Sequence, residues 1–133
     1  ANGGLLKTKI KNWESRADLE NRSQAHAPER TYAVGINLNL KNNFYLKMDI
    51  TGKSSFYYSD SHNNKSQSYQ LANLLIGYSN KKFSVDIWVR NLFDEYYSTR
   101  GFFFGNEAPN FEDTLYRRQG DPKNIGLSLR YNF

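Results

Sequence analysis

Apolar and polar residues alternate with a period of two along most of the chain, and the alternation is cleanest between Arg30 and Leu40. There Tyr32, Val34, Ile36, Leu38 and Leu40 fall on one face and Ala33, Gly35, Asn37 and Asn39 on the other, the mark of a two-faced strand. After Lys41-Asn42-Asn43, the apolar Phe44, Leu46, Met48 and Ile50 alternate with Tyr45, Lys47, Asp49, Thr51 and Lys53, which predicts a hairpin. The arrangement repeats around Asn80-Lys81-Lys82. There a strand from Gln67 to Ser79 meets Phe83, Val85, Ile87 and Val89, alternating with Ser84, Asp86, Trp88 and Arg90. Leu6, Thr8 and Ile10 against Lys7, Lys9 and Lys11 predict an opening strand. Ile125, Leu127, Leu129, Tyr131 and Phe133 against Gly126, Ser128, Arg130 and Asn132 predict a closing one. The expectation is about six antiparallel strands, near residues 5–13, 30–40, 44–57, 67–79, 83–97 and 123–133. Leu71 to Tyr78 is apolar on both faces, with Leu71 and Leu75 on one and Leu74 and Ile76 on the other, so its outward side stays open.

The connections fall into two kinds. Those at 41–43 and 80–82 are short, whereas 14–29, 58–66 and 99–122 are long and polar or irregular, and the two kinds alternate along the chain. Outer-membrane barrels have this asymmetry, with short periplasmic turns and longer extracellular loops. A tilted membrane-spanning strand needs about 9–11 residues, which these segments supply. Phe44, Tyr45, Tyr131 and Phe133 at the turn side, and Phe56, Tyr57, Tyr58, Tyr96 and Tyr97 at the loop side, fit two interfacial aromatic girdles. The expected fold is therefore all-β, an antiparallel up-and-down transmembrane β-barrel segment. A soluble sandwich would use the same alternation to fill a core, but it has no reason to keep its short turns at one end.

Composition narrows this further. The 133 residues include 10 Tyr, 9 Phe and 2 Trp, yet the mean hydropathy is −0.79, because polar residues are interleaved with the apolar ones. No apolar run reaches the roughly 18 residues of a transmembrane helix, and Ala1-Asn2-Gly3-Gly4 has no signal-peptide features. A secreted barrel needs such a signal, so the chain is expected to be a fragment or a processed piece. The absence of cysteine removes disulfides and thiolate metal sites. A net charge of +5 with interleaved aromatics imitates a nucleic-acid surface. However, Lys7, Lys9, Lys11, Lys47 and Lys53 lie opposite the apolar rows, where a watery lumen accounts for them without nucleic acid. Lys65, near a loop end, would face lipopolysaccharide phosphates.

The segment Val89-Arg90-Asn91-Leu92-Phe93-Asp94-Glu95-Tyr96-Tyr97 resembles the penultimate-strand motif of TonB-dependent receptors. Gly120-Asp121-Pro122-Lys123 and Gly126-Leu127-Ser128-Leu129-Arg130-Tyr131-Asn132-Phe133 resemble the ending of the same family. The likeness spans about 89–133, with Lys123 where the family usually has Arg, a change that weakens bidentate contact but keeps the charge. It implies the C-terminal part of a 22-stranded outer-membrane barrel of a Gram-negative bacterium. Such a barrel takes up a scarce nutrient, such as a ferric siderophore or cobalamin, with energy from the inner-membrane TonB complex. The plug domain, the TonB-contacting segment and the other barrel strands would lie upstream. The implied partners are outer-membrane lipid and lipopolysaccharide, the plug and remaining strands, the TonB complex, and the insertion machinery reading Gly126, Leu127, Leu129, Tyr131 and Phe133. No cofactor and no enzymatic activity are implied. Other readings are a soluble all-β domain binding a polyanion, or a passive porin or adhesin barrel.

Asn91, Leu92, Phe93, Asp94 and Tyr97 read as a structural motif, since no histidine or second carboxylate stands near them at ligand spacing. Strict parity would put Asn91 on the lipid face, which is costly in hydrocarbon. A β-bulge, or the strand's exit from the apolar band, is therefore expected near 91–94. His26 and His62 fall among polar loop residues, and Glu107, Glu112 and Asp113 read as solvating charges, so no metal or catalytic site is expected. The stretch that invites ligand contact is 99–122. Arg100, Phe102, Phe103, Phe104, Arg117 and Arg118 there offer guanidiniums and rings to an aromatic anion, the alternative being rings that simply fill the barrel mouth.

Overall fold

A computed structural model describes residues 1–133. Six strands form one antiparallel sheet in the order β1-β2-β3-β4-β5-β8: β1 (Asn2–Leu5), β2 (Arg30–Asn39), β3 (Phe44–Lys53), β4 (Tyr69–Ser79), β5 (Phe83–Arg90) and β8 (Asn124–Tyr131). A separate two-stranded hairpin, β6 (Ser98–Phe104) and β7 (Thr114–Gln119), is inserted between β5 and β8. The sheet is open, with β1 and β8 as its two edges. No helix is long and apolar enough to cross a membrane.

The register carries the sequence pattern across the sheet without a break. Leu38, Leu46, Ile76, Ile87 and Leu127 form one row over five strands, and Ile36, Met48, Leu74, Val89 and Ile125 form the next. The pairing also assigns the two faces of β4. Ala72, Leu74, Ile76 and Tyr78 share the apolar face, while Leu71 and Leu75 share the polar one with Lys47, Asp49 and Trp88. Most of the apolar face is uncovered: Ile36 is 54%, Ile87 56% and Leu129 71% exposed, while the small Ala72 is buried among its neighbours. On the opposite face the Tyr45 hydroxyl donates to Asp86, Asn73 Nδ2 donates to Asp49 over 2.8 Å, and Trp88 Nε1 donates to Ser128 Oγ over 3.1 Å.

Three aromatic rings on this sheet lie over the glycine directly across the ladder: Tyr32 over Gly52, Tyr45 over Gly77 and Trp88 over Gly126. Each ring occupies the space that a Cβ at its glycine would need, so the missing side chain is what lets the ring lie flat.

The two short turns are built by asparagines. Asn42 and Asn43 adopt left-handed backbone, at φ 59° and 65°, a region this side chain tolerates. At the other turn, Asn80 Oδ1 accepts from the amides of Lys82 and Phe83 at 2.8 and 2.9 Å, an Asx-turn.

Several strand ends depart from expectation. The opening strand covers Asn2–Leu5, not 5–13, because its partner cannot continue: Pro28 has no N–H, and Asn21 and His26 take positive φ. Lys7, Lys9 and Lys11 therefore lie outside any strand. β3 stops at Lys53 rather than 57, since Phe56 and Tyr58 turn away and are buried. β5 stops at Arg90 rather than 97, where Asn91 takes φ 48°. The stretch expected to be an irregular loop at 99–122 holds the β6–β7 hairpin.

Candidate functional site

The side chains buried away from the sheet gather at the loop end, where three long connections meet. The segment after β5 is tied down by Asn91, which is 4% exposed. Its Nδ2 donates to the carbonyls of Glu95 (2.9 Å) and Asp121 (3.1 Å), and its Oδ1 accepts from the Glu95 amide (2.9 Å). The Asn91 amide in turn donates to Asn73 Oδ1. Around it, the Leu92 amide donates to the Ala72 carbonyl, and Asp94 Oδ1 accepts from the Lys123 amide over 2.7 Å. The Tyr97 ring packs over Gly120 and lies 4.5 Å from Tyr69, and burial pushes its phenol up from the ordinary value. Asn91, Leu92, Asp94 and Tyr97 thus join the end of β5 to β4 and to the approach of β8. Phe93 instead points to the exterior, 75% exposed. Because Lys123 is held through its backbone, this contact is indifferent to Lys or Arg.

A second assembly binds the loop before β2 to the loop after β3. Arg22 Nη1 donates to the His62 carbonyl (2.7 Å) and to Asn63 Oδ1 (2.8 Å). Its Nη2 donates to the carbonyls of Ser59 and Asp60. The guanidinium also lies 4.3 Å from the centroid of the Tyr57 ring, and Lys65 Nζ lies at the same distance. Tyr57 therefore holds two cations, and Lys65 is engaged here. Phe56 and Tyr58 are buried in this cap, with Leu19, and so belong to no girdle on the apolar face. Tyr45 likewise belongs to the polar face.

The hairpin docks on that cap with one face. The Tyr58 ring fills the space over Gly101, and Phe103 stacks on His62 at 3.7 Å with the planes 7° apart. His62 Nε2 reaches Asp113 at 3.2 Å, and its Nδ1 lies 3.1 Å from Ser59 Oγ and from Ser61 Oγ. His62 is accordingly a packed junction residue rather than a solvated one. His26 is exposed.

The other face of the hairpin is open. Arg100 stands directly across from Arg118 and Phe102 from Tyr116, with Phe104 next in line; Phe102 is 50% and Phe104 56% exposed. Like charges placed opposite one another repel, yet neither guanidinium has a partner, since the ion pairs of the molecule are Arg16–Asp18 and His62–Asp113. The nearby acid is already engaged: the Tyr116 hydroxyl lies 2.7 Å from both Glu107 Oε1 and Asn106 Oδ1. The carboxylate beside it raises the Tyr116 phenol pKa above its ordinary value. The register thus splits the sequence-derived set. Arg100, Phe102, Phe104 and Arg118 come together, while Phe103 and Arg117 fall on the opposite side of the ribbon.

Tyr116 and Arg22 carry much of this geometry without any mark in the sequence, and Tyr57 and Asp113, which read there as a girdle ring and a solvating charge, instead hold Arg22 and His62. Arg22 binds residues 37 to 41 positions further on, and no local pattern marks such partners. Leu127, Leu129 and Tyr131 line up outward along β8, Phe133 follows beyond its end, and Gly126 lies under Trp88 on the reverse face. No group of three or more His, Cys, Asp or Glu converges as a metal site would require. No protein-family model matches the chain, and no solved structure matches it significantly.

Proposed function

We propose that the chain is the C-terminal wall segment of a TonB-dependent outer-membrane receptor. The observation that carries this reading is the apolar face, five strands wide, whose large side chains the molecule leaves mostly exposed. A soluble monomer rarely exposes more than a few hundred Å² of contiguous apolar surface, whereas a barrel wall needs such a band against hydrocarbon. On this reading the polar face lines the lumen, and the turns at 41–43 and 80–82 are periplasmic. The loop cap with its hairpin forms the extracellular mouth. The open hairpin face, with Arg100, Phe102, Phe104, Tyr116 and Arg118, meets an aromatic, anionic nutrient carrier such as a siderophore. The segment carries out no reaction.

Because the chain has no cysteine, single cysteines placed from Val34 to Leu38 can each carry one spin label. In vesicles, labels at Val34, Ile36 and Leu38 should be accessible to oxygen dissolved in lipid, and labels at Gly35 and Asn37 to an aqueous nickel complex. Equal nickel accessibility at Ile36 and Asn37 would discard the membrane wall. In the full-length receptor, loss of nutrient uptake on deleting residues 98–119, with barrel assembly intact, tests the receptor reading.

A further inference from the structure

At the turn end of the apolar face the aromatic side chains form one continuous row across four strands. Phe44 meets Tyr78 edge-on at 5.1 Å, Tyr78 meets Phe83 at 5.6 Å, Phe83 pairs with Tyr131, and Tyr131 meets Phe133 at 5.1 Å. Rings at such a boundary settle where hydrocarbon gives way to headgroups.

Immediately beyond the row lie Lys41, Lys81 and Lys82, all exposed, in the turns that join β2 to β3 and β4 to β5. None of the three ammonium groups has a carboxylate partner. The turns leave little else for an incoming group to bind: Asn80 Oδ1 is taken by the amides of Lys82 and Phe83, and the Lys82 carbonyl accepts from the Asn132 amide. Asp86, on the reverse face, is occupied by the Tyr45 hydroxyl. The two turns stand two strand spacings apart, or about 10 Å, so their cations present one patch rather than isolated charges.

We propose that this rim is a docking surface for the headgroups of anionic phospholipids, with Lys41, Lys81 and Lys82 contacting the phosphates and the aromatic row seating the acyl chains below them. The inference rests on the membrane reading above and adds a lipid preference to it. A cation held near an anionic leaflet raises association about fivefold, so three of them acting on the few lipids under the rim give a several-fold selectivity averaged over the whole contact shell.

The test uses the chain reconstituted in phosphatidylcholine vesicles containing trace spin-labelled phosphatidylglycerol or phosphatidylcholine, and reads the fraction of each lipid that the protein immobilises. The expected result is severalfold stronger association of phosphatidylglycerol. The preference should fall to near unity in K41Q/K81Q/K82Q and in molar salt, while the immobilised phosphatidylcholine fraction stays unchanged. Substitution of Lys47 and Lys53 by Gln on the polar face should leave it intact. Equal association of the two lipids with the unaltered chain, or a preference that survives the triple substitution, overturns the rim as the source of a lipid preference and leaves the membrane wall standing. No immobilised lipid of either kind overturns both. If the triple variant fails to insert, the salt arm on the unaltered chain decides.

Discussion

Replacing Asn91 by Ala should loosen the loop end of the molecule more than any other single truncation there. The side chain makes three hydrogen bonds from a nearly buried position, each contributing about 1 kcal/mol net. Alanine at φ 48° adds about 1 kcal/mol of left-handed strain that asparagine largely avoids. The expected loss is therefore about 4 kcal/mol, a large share of the 5–15 kcal/mol typical of a folded domain. Asn91→Gly removes the hydrogen bonds but not the conformational freedom, so it should cost about 3 kcal/mol, with the gap to alanine isolating the strain. Asn91→Asp keeps the acceptor but loses both amide donations and sets a negative charge against the carbonyls of Glu95 and Asp121, so it should fall near alanine. Urea unfolding of the chain in detergent micelles, followed by the fluorescence of Trp88 with Trp13 replaced by Phe throughout, measures all three. An alanine variant within about 0.5 kcal/mol of the unaltered chain, or an aspartate variant indistinguishable from it, would refute the assignment of Asn91 as the knot of this segment.

Three further outcomes are expected. Ile87→Arg, midway along β5 on the apolar face, should cost about 2–4 kcal/mol of folding into a bilayer, and clearly more than Ser128→Arg on the reverse face, where the loss is that of the Trp88 hydrogen bond, about 1 kcal/mol; equal costs in vesicle-folding titrations would contradict a lipid-facing Ile87. In the proposed full-length receptor, Arg100→Ala with Arg118→Ala should weaken binding of the proposed anionic nutrient carrier by about tenfold or more, as loss of charge-assisted hydrogen bonds implies. Arg117→Ala should leave it near unaltered, and equilibrium binding that ranks them the other way argues against the open hairpin face. The raised Tyr116 phenol means that its bond to Glu107 is complete below the ordinary phenol value of about 10 and is lost as pH climbs through the higher folded value. The ultraviolet titration of the unaltered chain minus that of Tyr116→Phe should therefore show one phenol ionising above 10, and a difference curve centred at or below 10 would refute the contact.

The sheet was legible in the sequence wherever one face is wholly apolar. Tyr32 to Leu38, Phe44 to Ile50, Phe83 to Val89 and Ile125 to Tyr131 all take the side that their alternation assigns. The asparagine-rich turns were legible too, since Asn42, Asn43 and Asn80 act on the backbone beside them. β4 was not, because a strand apolar on both faces contains no signal of direction; only its pairing with Met48 and Ile87 decides. The loop end was the least legible. Arg22 reads locally as one more solvated charge, yet its partners are carbonyls 37 to 40 residues on. The residues proposed for ligand contact share a chemical type, and type alone does not separate Phe103 from its two neighbours, whereas the hairpin register does.

The rings lying over Gly52, Gly77 and Gly126 have a consequence for assembly. Slipping one strand past another by a single residue would turn its apolar side chains inward and is forbidden by the face pattern. A slip of two keeps every face correct, and apolar rows as uniform as these would scarcely resist it. Such a slip would drive Tyr32 against Ile50 or Ser54, Tyr45 against Leu75 or Ser79, and Trp88 against Asn124 or Ser128, none of which offers an empty seat. The β2–β3, β3–β4 and β5–β8 pairs are each keyed in this way. The unkeyed pair, β4–β5, is the one whose turn is clamped by Asn80, so every neighbouring pair from β2 to β8 has its own means of finding a single alignment.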